Sequence, residues 1–221
     1  MNPPTSNALA ERLINAGCVS FKADEPFRLP SGWASPVYMD CRRLISFPDT
    51  RRQIVTGALA MLRDAGALDR LDGVVGAEAS GIAFAAWIAE ALDLPLQYVR
   101  KRAVGHAQVE GVLRAGDRVL LVDDLMAAGL SKAAFHQALT ARGAVVEDAI
   151  VVFDYGTFDA AGTLLRSRGI RVHALCTWRD ILAAARSRAQ TDPGALDELE
   201  AFIADPAKWS AGHGGVQSSP W

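Results

Sequence analysis

Apolar positions along the chain follow two rhythms. From residue 72 to 178, the short runs "DGVVGA", "LPLQYVR", "RVLLVDD", "AVVEDAIVVFDY" and "IRVHALCTW" are dense in Val, Ile and Leu, as strands buried on both faces are. Between them lie "SGIAFAAWIAEALDL", "LSKAAFHQALTARG" and "TFDAAGTLLRSRG", whose apolar residues recur at helical spacing. Strands alternating with helices predict a parallel sheet covered on both faces, an α/β architecture.

The flanks are less regular. "TSNALAERLINAG" predicts a first helix, capped by Thr5 or Ser6 and stopped at Gly17. Residues 19–43 are irregular and strand-like, broken at "LPSG" and "SP". Pro48 and Asp49 then open a helix, "PDTRRQIVTGALAMLRDAG". Helices such as "DPGALDELEAFIADPAKW" close the last third, and the Gly/Ser-rich tail "SAGHGGVQSSPW" is expected to be loose.

In open α/β sheets, ligands sit at the carboxyl ends of the strands. The segments that follow the strands are "GAEASG", "RKRAVGH", "DDLMAAGLS" and "DYGTF". One edge therefore gathers an acidic pair, a basic loop and two small-residue turns. The stretch "VLLVDDLMAAGLSK" drives a buried strand into Asp123 and Asp124, then through a small-residue turn into a helix. Unpaired N–H groups at that helix start favour a phosphate, Gly129 eases the turn, and Ser131 adds a donor. Paired carboxylates accept hydrogen bonds and donate none, which suits vicinal ribose hydroxyls. A helix cap or a metal site is the competing reading of such a pair. The sequence has no GxxxxGK[ST] and no GxGxxG after a strand.

Composition narrows the classes. In 221 residues of which 50% are hydrophobic, one sizeable core is affordable. A net charge of −2 provides no broad basic face, so nucleic acid is not the expected partner. No apolar run approaches the roughly 20 residues that span a bilayer. The N-terminus lacks the basic start and apolar core of a signal peptide, so a cytoplasmic protein is expected. Cys18, Cys41 and Cys176 show no metal-ligand spacing and are expected as buried thiols.

"VLLVDDLMAAGLSK" resembles the phosphoribosyl-diphosphate (PRPP) motif of type I phosphoribosyltransferases. "FRLPSGWASPVYMDCRRLISFPDTRRQI" is similar to the F-x-L-x-SG-x-x-SP-x-Y-x-D-x-R segment of orotate phosphoribosyltransferases. "LPLQYVRKR", "VEGVLRAGDRVLLVDDL" and "LCTWRDIL" continue the likeness in order, from about residue 8 to 209. The resemblance implies a type I phosphoribosyltransferase fold: a central mostly parallel sheet flanked by helices, with a small N-terminal hood at about 1–45, a core at about 46–209 and a flexible tail at 210–221. It implies transfer of phosphoribose from PRPP to orotate with Mg2+ bound mainly through PRPP, in a homodimer.

By that resemblance, Asp123 and Asp124 would hold the ribose hydroxyls. Ala127, Ala128, Gly129, Leu130 and Ser131 would take the 5′-phosphate, and Glu78, Ser80 and Gly81 would line the pyrophosphate side. Arg100, Lys101 and Arg102 would supply cations, with His106 beside them, from a mobile basic loop closing over the site. Ser35, Tyr38, Met39 and Tyr155 would meet the base. Two departures stand out. Val104 occupies the place of the family's second, catalytic lysine in a loop about three residues short, and Met126, Ala127, Ala128 and Leu130 replace the usual Thr and Gly of the phosphate turn. Each lost hydrogen bond to a charged phosphate costs about 1.5–3 kcal/mol. The alternative reading is therefore a catalytically impaired relative that binds a ribose phosphate or nucleotide as a regulator or partner subunit.

Overall fold

Alternating burial along each central strand builds the two faces of the sheet. In β8 (Arg118–Met126), Leu120 and Val122 enter one apolar cluster while Val119 and Leu121 enter the other. β5 (Gly73–Ala77) and β9 (Val145–Asp154) divide the same way, with Val74 and Ile150 on one side and Val75 and Ala149 on the other. The computed structural model describes residues 6–22, 25–29, 31–105, 107–188 and 191–217. Its main sheet has six strands in the order β10-β9-β8-β5-β6-β7, with β10 spanning Arg171–Thr177 and β6 Leu96–Val104. All neighbours run parallel except β6 and β7 (Ala107–Glu110).

One face is covered by α1 (Ser6–Asn15), α2 (Pro48–Asp64), α3 (Ser80–Leu92), α6 (Trp178–Arg186) and α7 (Pro193–Ala204), whose Leu13, Ile54, Phe84, Ile181 and Phe202 join the first cluster. The other carries α4 (Leu130–Thr140) and α5 (Asp159–Arg166), with Phe135 and Leu165 in the second. The predicted first helix is present from Ser6 and stops before Gly17, whose φ is +66°; Thr5 lies outside the described residues. The expected N-terminal hood is two antiparallel pairs: β1 (Val19–Phe21) with β4 (Val37–Met39), and β2 (Phe27–Arg28) with β3 (Ala34–Ser35).

Some expectations need correcting. β8 runs two residues past its acids, to Met126, which is opposite Asp154 of β9. Trp178 is not the last strand residue but the first of α6, where Thr177 and Asp180 form a capping box. The basic loop carries strand pairing that the sequence did not suggest, with Val104 of β6 paired to Ala107 of β7 and Gly105 at φ +62°; His106 lies outside the described residues. Residues 210–217 are seated rather than loose. α8 (Pro206–Gly212) places Ser210 so that its hydroxyl accepts the Ala34 N–H at 3.0 Å, and the Val216 N–H donates to the Gly32 carbonyl at 3.1 Å. Residues 218–221 lie outside the described residues. The C-terminal end thus buttresses the hood.

Charge gathers at the opposite, amino edge of the sheet. Asp148, 3% exposed, meets His173 at 2.8 Å, Arg171 at 3.0 Å and Arg70 at 3.5 Å. His173, on β10, is thereby held in a buried structural cluster. His213, expected on a loose tail, stacks on Trp209 with ring centroids 3.8 Å apart.

Candidate active site

Two features of the chain open a cavity at the carboxyl edge. β8 ends in a turn of small residues, Ala127 to Gly129, whose side chains leave space above them, and Trp33, Tyr38 and Met39 of the hood line the same space. The cavity has a volume of about 840 Å³, within the range of small-molecule sites. Asp123, Asp124 and the turn from Ala127 to Ser131 form its floor.

The turn is built to receive an anion. Gly129, at φ +76°, precedes Leu130, the first residue of α4, and no side chain caps the helix. Its first N–H groups are thus free to donate to a ligand's oxygens. Ser131 is exposed beside them, so the one hydroxyl in this turn faces the cavity.

The two carboxylates are not equivalent. Asp123 is 8% exposed, and Lys132 of α4 reaches its Oδ2 at 2.5 Å. Its Oδ1 accepts the Asp124 N–H at 2.9 Å. Asp124 faces the cavity with Ser80 as its hydrogen-bond donor. Burial, and then the charge of Asp123, push the Asp124 carboxyl up to about 7, against the lowering effects of Lys132 and Ser80. The pair therefore offers one committed carboxylate and one available.

On the neighbouring loop, Glu78 accepts the Lys101 N–H at 2.6 Å, joining the ends of β5 and β6. Glu78, Ser80 and the Lys101 side chain all line the cavity, which brings hydroxyl and ammonium donors to one flank. The Glu78–Ala79 peptide is cis. On the opposite flank are Tyr38, Met39 and Tyr155. Burial raises the Tyr155 phenol far above its usual range, so it acts as a neutral group. Its ring stacks on Phe158 at 6.3 Å and meets Trp178 edge-on at 5.4 Å.

Four expected residues do not line the cavity among the described residues. Gly81 is packed under β8. Ser35 is fully buried, and its hydroxyl donates to the Val37 carbonyl at 2.7 Å and accepts the Val37 N–H at 3.3 Å, holding the hood turn. Arg100 turns instead to Glu110 of β7 at 2.9 Å and to the Tyr98 hydroxyl at 3.1 Å. Arg102 is exposed on β6, away from the cavity. His106 lies outside the described residues.

Several residues went unforeseen. Arg42 lines the cavity, its Nε 2.6 Å from Asp40, whereas its neighbour Arg43 donates to the Ala16 carbonyl at 3.0 Å and ties down α1. Asp40 is the acid of the quoted "YMDCRR" segment and was within reach of sequence reasoning. Trp33 and Phe158, edge to face at 5.0 Å, form an apolar wall between hood and core. Lys132, the last residue of the quoted "VLLVDDLMAAGLSK", is the most consequential of them. Cys41 also borders the cavity, but burial lifts its thiol well above the usual range, so it is no nucleophile.

Comparison with known proteins gives one answer. Residues 51–172 match the family model for the phosphoribosyl transferase domain. Over 214 residues the chain is 46% identical to an orotate phosphoribosyltransferase of Rhizobium meliloti (strain 1021), covering 95% of this chain and 92% of that protein. A crystal structure of orotate phosphoribosyltransferase from Aeropyrum pernix superposes with a TM-score of 0.71 at 34% identity, covering 82% of this chain and 99% of the other. A structure of Leishmania donovani UMP synthase gives 0.80 at 28% identity; there the chain covers 91% of its own length and 43% of the other.

Proposed function

The chain belongs to the orotate phosphoribosyltransferases of the phosphoribosyltransferase family, and on that footing we propose that it transfers the 5-phosphoribosyl group of PRPP to orotate, a step of pyrimidine biosynthesis that yields orotidine 5′-monophosphate and pyrophosphate. The observation that carries this reading is the juxtaposition of an available carboxylate, Asp124, with the uncapped start of α4 inside one cavity.

Asp124 accepts hydrogen bonds from the ribose hydroxyls. The N–H groups from Gly129 to Ser131 and the Ser131 hydroxyl hold the 5′-phosphate. The base lies between Tyr38, Met39 and Tyr155. As the C1–oxygen bond to pyrophosphate breaks, that oxygen leaves with the electron pair, while an orotate ring nitrogen forms the new bond to C1 and its N–H proton passes to the departing pyrophosphate or to solvent. Positive charge gathers on the ribose and negative charge on the leaving group. Lys101, at the flank with Glu78 and Ser80, stabilises the latter.

A divalent cation fits this site as a passenger of PRPP. Among the described residues no cluster of three or more His, Cys, Asp or Glu could hold a metal, whereas PRPP brings its own hard oxygen ligands. Bound that way, Mg2+ would supply positive charge to the departing pyrophosphate. A homodimer is part of the same reading, and exposed Ile45 and Phe47 beside the start of α2 give a second copy an apolar foothold. So is a cytoplasmic location, which the three buried free thiols fit.

The test is formation of orotidine monophosphate by the purified protein from orotate, PRPP and Mg2+. Binding of PRPP without turnover would favour the impaired relative instead. The hairpin closed by Val104 and Ala107 makes one variant informative. Val104→Lys returns an ammonium to the turn and is expected to raise kcat about tenfold or more, since one preorganised charge is worth roughly 10²–10³ where it meets the transition state. An unchanged kcat means that the shortened hairpin does not bring position 104 to the leaving group.

A further inference from the structure

Lys132 occupies an unfavourable place for a lysine. It is the third residue of α4, where the helix dipole repels a cation, and it is 5% exposed. Among the described residues no other lysine or arginine is buried. Its ammonium reaches back over the phosphate-binding turn to β8, where it meets Asp123 Oδ2 at 2.5 Å and donates to the Leu125 carbonyl. The turn from Met126 to Ser131 is thus spanned by a staple with one foot in the helix and two in the strand.

That geometry has consequences for both halves of the site. Asp123 spends Oδ2 on Lys132 and Oδ1 on the Asp124 N–H, which fixes the backbone from which Asp124 projects. The same staple sets how far the N–H groups at the start of α4 stand from that carboxylate. The pentose hydroxyls and the 5′-phosphate belong to one rigid molecule, so this separation must match them.

We propose that Lys132 is a positioning residue for phosphoribosyl transfer: by stapling α4 to Asp123 and Leu125, it sets the spacing between the phosphate cradle and Asp124 and leaves Asp124 as the carboxylate that meets the pentose. The inference rests on the reading of the cavity as a PRPP site. Its electrostatic setting includes Asp123 and Asp124 on β8, Asp154 at the end of β9, Ser80 on α3, and Arg42 and Cys41 after β4, all of which act on Asp124 or feel Lys132.

Lys132→Met keeps the length and apolar stem of the side chain and removes the ammonium. The expected result is an increase of tenfold or more in the KM for PRPP, an orotate KM within threefold of wild type, and a displacement to higher pH of the acid limb of kcat/KM for PRPP. A variant that melts at lower temperature but keeps the wild-type KM values and pH profile would reduce Lys132 to a structural pair and overturn the proposal. If Lys132→Met does not fold, the wild-type protein decides by nitrogen-15 NMR of its lysine ammonium groups. The Lys132 signal should shift on addition of Mg·PRPP and not of orotate alone, and an unmoved signal overturns the proposal. A wild type that neither binds PRPP nor turns over defeats the functional reading instead, so the two failures are distinguishable.

Discussion

Replacing Asp124 by Asn should make the protein more stable and nearly inactive. The carboxyl of Asp124 is raised from 3.8 to about 7 in the folded chain, first by burial and then by Asp123. Between those values the folded state holds a proton that the unfolded state has released, so stability falls as pH rises. The loss begins above the ordinary carboxylate range and is complete above about pH 7. Its full size is on the order of a few kcal/mol. An amide has no charge to desolvate. Asp124→Asn should therefore melt at least about 5 °C above wild type at pH 8, at roughly 2–4 °C per kcal/mol for a chain of this size. The gap should narrow as the pH approaches 5.

The same substitution removes the acceptor that the pentose needs. Charge-assisted hydrogen bonds contribute about 1.5–3 kcal/mol each, so weakening two of them lowers kcat/KM for PRPP by about 10²-fold or more. In the wild type, kcat/KM for PRPP should climb as pH rises through about 7, where Asp124 becomes able to accept two hydroxyls. In Asp124→Asn that limb should flatten. Scanning calorimetry at two pH values and a pH–rate profile check both halves. A variant no more stable than wild type at pH 8 would mean that Asp124 is better solvated than its surroundings imply.

How much of this was legible beforehand depended on the range of each interaction. The five parallel strands could be read because each is a dense apolar run, and β8 carried its acids in plain view. β7 could not. "AQVE" is four residues with a single buried position, too short for any periodicity to register. That omission spread. Without β7 opposite β6, nothing placed Glu110 beside Arg100, and Arg100 was expected to be free for a phosphate. Ser35 departs from its expected place for a different reason: its hydroxyl is consumed two residues away by Val37, a local turn bond that the motif itself does not advertise. Lys132 is nine positions from Asp123, and only the path of the intervening turn brings them together. Arg42 and Asp40 stood within the segment that pointed to the base, yet only the hood's curvature turns them inward. Apolar pattern thus carried the scaffold and the acidic edge. Partners joined through tertiary geometry did not show.

Gly81→Ala should disable the enzyme without touching a ligand. Gly81 was expected to line the cavity, but a Cβ there would stand 2.4 Å from the Val122 carbonyl oxygen and 2.9 Å from the Cα of Asp123. Both contacts are with the backbone of a central strand, which cannot move aside as a flexible side chain can. The helix must retreat instead, and Gly76 shows the same tight seam, since a Cβ on it would meet the Ile82 Cα at 2.6 Å. Retreat of α3 would cost about 1–3 kcal/mol in packing. It would also carry Ser80 away from Asp124, to which it donates. A displacement of about 1 Å in a positioning group can cost about 10²-fold in rate. The expected outcome is a melting temperature lower by several degrees and a kcat/KM reduced by about two orders of magnitude. Gly194→Ala is the control: a Cβ there meets only the Asp192 carboxylate, at 3.7 Å, and φ is not positive, so both quantities should stay near wild type. Full activity in Gly81→Ala would mean that α3 can slide along β8 without disturbing the acidic pair, and the site would then owe its geometry to α4 and its lysine alone.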